Sequence, residues 1–114
     1  MPTPDQQTNV SNAISAIQAA EGLLYQQVSN APDSLTAIKI TNEIKILESY
    51  LSQLQQAVTA ADDASFTSIT DVLQSHTNQI KNDQATIQKI VADVNTAANI
   101  INYIGQAAAF IAKL

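Results

Sequence analysis

The residues able to do chemistry are few: one histidine, His76, three glutamates, Glu21, Glu43 and Glu48, and five lysines with no arginine. Cysteine is absent, so neither a disulfide framework nor a thiolate is available. Ser75, His76 and Asp83 supply the residue types of a hydrolytic triad. Adjacent residues on a helix point about 100° apart, however, so Ser75 cannot face His76, and nothing nearby offers an oxyanion hole. A di-iron bundle requires inward-facing glutamates and Glu-x-x-His pairs. The residue three before His76 is Leu73. Zinc needs several Cys or His ligands, which this chain lacks. The expectation is a non-enzymatic protein with no catalytic residues, no metal site and no cofactor.

Two single residues invite a functional role and receive a structural one. His76 falls on an apolar seam, where an imidazole can sense pH. A seam histidine satisfied by a neighbouring hydroxyl and marking register is the plainer expectation. Glu21 occupies the one polar position of its stripe, where a lysine partner or partial exposure is expected. Gly22 follows it and costs about 1 kcal/mol against Ala in mid-helix.

Charge narrows the partners. The net charge is −5, and the lysines at 39, 45, 81, 89 and 113 are scattered. Nucleic-acid affinity draws on clustered Lys and Arg, so no nucleic-acid partner is expected. Charged residues make up 13% of the chain, against 41 Ser, Thr, Asn and Gln. A surface of neutral amides and hydroxyls opposes contact with another copy less than a Lys/Glu surface does. Residues 1–5, Met-Pro-Thr-Pro-Asp, show neither a basic nor an apolar signal region. No Sec-type signal is expected, leaving a cytoplasmic protein or one exported by a signal-independent route. Asn9-Val10-Ser11 matches a glycosylation triplet and is discounted on the same ground.

These residues must be positioned by helices. Val10, Ile14, Ile17, Leu24 and Val28 recur at steps of three, four and seven; Ala37, Ile40, Ile44, Leu47, Leu51, Leu54, Val58 and Ala61 do so without interruption. Pro32-Asp33 and Asp62-Asp63 punctuate the stripes. The third stripe runs Phe66, Ile69, Leu73, His76, Ile80, Asp83, Ile87, Ile90, Val94, Ala97, Ile101, Ile104, Ala108, Ile111. As one helix it would span about 75 Å, twice the first two. Either it reverses near Gln79–Asp83, or its overhang is covered by a second molecule. The fold expected is an all-α, antiparallel up-down helical bundle in one domain. It has four helices near 5–30, 34–61, 64–81 and 84–113, or three with a long third helix.

Residues 94–112 contain no charge. Asn95, Asn99, Asn102 and Gln106 draw a polar stripe along them, and four amides are costly in lipid, so a solitary membrane span is not expected. Gly105, Ala107, Ala108 and Ala109 permit close helix approach. Interaction is therefore expected to centre on Ile101, Ile104, Gly105, Ala108, Phe110 and Ile111. As a class, amphipathic bundles of this kind resemble storage-granule coat proteins, secreted-filament subunits and helical pore-forming toxins, with no motif of any one of them. The function expected is protein–protein contact, including self-association into a homo-oligomer. The alternative is a membrane- or lipid-directed protein using its apolar C-terminal helix.

Overall fold

The computed structural model describes residues 2–60 and 62–114. Five helices make up 87% of it: α1 (Pro4–Ser29), α2 (Ser34–Val58), α3 (Asp63–Ser75), α4 (Thr77–Ile90) and α5 (Val94–Ala112). Each start has a chemical cause. Thr3 and Gln6 form a reciprocal capping box with Pro4 in the first turn. Asp33, Asp62 and Asp93 each accept a hydrogen bond from the backbone N–H three residues on, at 2.7, 2.7 and 2.9 Å. Three connections therefore carry the same Asp-x-x-Ser/Thr signal.

α1 packs on α2 and α5, and α4 packs on α5 and α2, which closes a ring of contacts. α3 lies mainly against α2. The result is elongated, 47 × 21 × 21 Å. The core runs along its length, from Val10, Ile17 and Leu24 through Ile40, Leu47 and Leu54 to Ile100, Ile104 and Ile111.

The third stripe departs from expectation in two places. Gln79–Asp83 stays helical inside α4. The chain breaks instead at Val91–Asp93, where Val91 and Asp93 are extended and Asp93 caps α5. Asp83 escapes the breaking role because its side chain points into the core. A second discontinuity falls at His76, which joins α3 to α4. There the Ser75 and Thr77 hydroxyls donate to the carbonyls of Val72 and Gln74, at 2.6 and 2.7 Å. Such back-bonding competes with the helix ladder and marks the joint. The stripes also shift slightly. Val58 and Val94 are exposed, Leu51 is half-buried, and Tyr50, Ala57, Ile100 and Ala107 take core places. Ala61 lies outside the described residues.

Candidate functional site

Between α2 and α4 the core turns polar. Glu43 and Asp83 are 5% and 2% exposed, among the most buried polar side chains described. Ile40, Glu43, Leu47, Tyr50 and Leu54 share one face of α2, set by the 3–4 spacing. Ile80, Asp83 and Ile87 form the facing stripe of α4. Two carboxylates thus occupy seam positions otherwise filled by Ile, Leu and Tyr.

Asp83 accepts two hydrogen bonds, from the Tyr50 hydroxyl at 3.3 Å and from Gln79 Nε2 at 3.4 Å. The His76 ring lies against Tyr50, centroids 6.0 Å apart and tilted by 49°. Glu43 lies beside Asp83, where a proton on either carboxyl would let the two hydrogen-bond. Glu43 Oε2 is buried and receives no hydrogen bond from an N–H or hydroxyl donor among the described residues.

Burial, then the charge of Asp83 and the hydrogen bond to it, push the Glu43 carboxyl up to about 7. Burial lifts Asp83 as well, while donors on Gln79, Tyr50 and Glu43 pull it back. The pair titrates as a unit, and burial favours the state in which the two carboxyls share one proton. Tyr50 is raised by burial and then by Asp83, so its hydroxyl stays a donor. The arrangement can therefore hold one proton, and release it near neutrality.

No protein-family model, curated protein or solved structure matches this chain. Function therefore rests on the chain's own residues.

The triad elements are not assembled. The Ser75 hydroxyl is turned to the Val72 carbonyl, and Asp83 is held by Tyr50 and Gln79. Glu21 has its charge neighbour in Glu48 rather than in a lysine: burial, then Glu48, raises its pKa. Tyr25 donates to Glu48 Oε1 at 2.8 Å beside it. Among the described residues no three His, Cys, Asp or Glu are grouped to hold a metal, and no helix is long and apolar enough to cross a membrane.

The six residues expected to mediate interaction divide between core and surface. Ile104 and Ile111 are buried, at 1% and 0% exposure. Ile101, Gly105, Ala108 and Phe110 are half-buried along the flanks of α5. Gly105 allows Gln84 of α4 to come close: a Cβ there would meet its Nε2 at 3.2 Å, and that amide donates to the Ile101 carbonyl at 3.0 Å. Lys113 lies 5.7 Å above the Phe110 ring. Two grooves flank the helix. One, of about 590 Å³, is bounded by Val91, Val94, Ala98, Ile101 and Asn102 among others. The other, of about 330 Å³, lies against α1 between Asn12, Ser15, Tyr103 and Phe110. Every residue lining either groove is uncharged.

The Glu43–Asp83 pair was missed from sequence, although its signal is there. Asp83 interrupts the third stripe, and Glu43 stands three residues after Ile40 and four before Leu47 on the second. Two carboxylates on facing apolar seams require each other or a proton.

Proposed function

We propose that the chain is a non-enzymatic, antiparallel four-helix bundle, with α3 and α4 as one jointed arm, that works through protein contact and first of all through a second copy of itself. The uncharged flanks of α5 carry this reading. Val94, 80% exposed, and half-buried Ile101, Tyr103 and Phe110 edge two grooves whose lining is uncharged, with the charge of Lys113 beside Phe110 at the rim of one. Ile104 and Ile111 act by holding α5 in place, Gly105 admits Gln84 of α4, and Ile101, Ala108 and Phe110 are the partly exposed members of the set.

Sedimentation over a concentration series tests the reading. The wild type should associate as concentration rises. The double variant Val94→Asn, Ile101→Asn should associate at least ten-fold more weakly while its melting temperature stays within a few degrees. A wild type monomeric up to hundreds of micromolar contradicts self-association. If the monomer then binds lipid vesicles through the same two residues, the lipid-directed alternative replaces it.

A further inference from the structure

α4 is held differently from the other helices. Its inward face buries Ile80, Asp83 and Ile87 with Ile90 packed beside them, and its ends are the two discontinuities at His76 and Val91–Asp93. It packs mainly on α5, where Gln84 donates to the Ile101 carbonyl, and meets α2 through a smaller contact that includes the Tyr50–Asp83 hydrogen bond, whereas α1 packs extensively on α2. A short helix with a joint at each end can move as a unit, and the polar contact with α2 is the part of its packing that a proton can strengthen or weaken. The unpartnered Glu43 Oε2, in a residue 95% buried, means that nothing else compensates a second negative charge there.

We infer that the Glu43–Asp83 pair is a proton-operated latch: a single shared proton fastens α4 to α2, and its loss frees α4 to swing out between its joints while α1, α2 and α5 stay folded. With the proton in place, Glu43 donates to Asp83, and Tyr50 and Gln79 complete the carboxylate's partners. Without it, two buried carboxylates face each other, and moving α4 into water hydrates both. The other titratable groups do not offset this. Lys39 and Lys45 of α2 and Lys81 and Lys89 of α4 are on the exposed sides, as are Asp63 and Asp71 of α3. α5 brings no charge from Val94 to Ala112, and Tyr103 is its one ionisable side chain. Glu21 of α1 is set against Glu48. His76 stands at the joint with its ring against that of Tyr50 and is the one other ionisable side chain near the pair among the described residues. The latch is independent of self-association and belongs to the single chain.

Hydrogen–deuterium exchange, resolved to α4 and corrected for intrinsic rates, reads the latch directly. A closed state that keeps its proton to about pH 7, against 4.5 for a free glutamate, makes opening grow about ten-fold per pH unit between those values. From pH 5 to pH 7.5, protection of residues 77–90 should fall at least ten-fold relative to α1. Glu43→Gln keeps the shape and a permanent donor to Asp83, so α4 should stay protected at both pH values. Asp83→Asn removes the facing charge and leaves Glu43 buried, so it should weaken the pH response of α4, which covers the case in which Glu43→Gln fails to fold. Measurements at protein concentrations ten-fold apart should agree, which separates the latch from any assembly. Equal pH responses in α4 and α1 overturn the proposal, as does a Glu43→Gln variant as pH-sensitive as the wild type. So does loss of the response in His76→Asn alone, which would make the joint histidine the sensor.

Discussion

The contact of α1 with α5 and that of α2 with α4 follow the same helical period and are made of different chemistry. The first joins two helices whose buried residues, Val10, Ala13, Ile17, Ala20 and Leu24 in α1 and Ile100, Ile104, Ala107 and Ile111 in α5, are all apolar, large ones interspersed with alanine. The second places Glu43, Tyr50 and Asp83 where that pattern calls for aliphatic residues. An apolar seam is favourable at every pH. A carboxylate seam is favourable only while it holds a proton. The bundle is thus given one permanent contact and one conditional contact, and the difference can be attacked from either side.

The largest effect belongs to the apolar seam. Leu24→Ala or Ile104→Ala should lower stability by about 2–5 kcal/mol, because each side chain is fully enclosed. Ile104→Asn should be worse by about 1–3 kcal/mol, since a buried amide is left without designed partners. Urea denaturation at one pH measures both; a loss below about 1 kcal/mol would mean that α5 does not carry the core.

The carboxylate seam should show itself as an inverted pH dependence. Folded Glu43 keeps its proton to about pH 7, whereas the unfolded chain releases it near 4.5. Between these values the folded state binds more protons, so stability falls as pH rises through the window and levels off above it. The capping aspartates Asp33, Asp62 and Asp93 behave oppositely: their backbone N–H partners hold their pKa values below 3.8, so their contribution is lost only as the pH falls through those lowered values. Denaturation of the wild type should therefore need less urea at pH 8 than at pH 5. Glu43→Gln should flatten that difference.

Smaller effects sharpen the boundary between the two regions. Asp93→Ala removes the cap that starts α5 and should cost about 0.5–2 kcal/mol, read from thermal melts. Gly22→Ala has the opposite sign. A Cβ there meets nothing within 4 Å, so the variant should gain up to about 1 kcal/mol. A loss instead would show that Gly22 makes room for a partner.

Much of this architecture could be read from residues. α1 and α2 fall within three residues of the expected 5–30 and 34–61, because Pro4, Pro32-Asp33 and Asp62 are strong local signals. The second half was harder for a physical reason. Asp83-Gln84-Ala85-Thr86 and Asp93-Val94-Asn95-Thr96 spell the same capping pattern, yet only Asp93 caps. Asp83 lies in phase with Ile80 and Ile87, and Thr86 back-bonds to the Asn82 carbonyl at 3.1 Å within the continuing helix. Local propensity is equal at the two positions, and burial of that stripe decides between them. Glu43 was passed over for a related reason: a single carboxylate in a stripe reads as exposed until its partner on another helix is known.

Carboxyl-detected carbon-13 NMR of Glu43 during a pH titration tests the central claim most directly, since it observes the shared proton rather than its consequences. The account predicts a midpoint for Glu43 at about 7, moving toward ordinary values in Asp83→Asn, where the neighbouring charge is gone and burial alone acts. A wild-type midpoint near 4.5, the ordinary glutamate value, would show that the pair is solvated and that the α2–α4 contact is no more conditional than the α1–α5 contact.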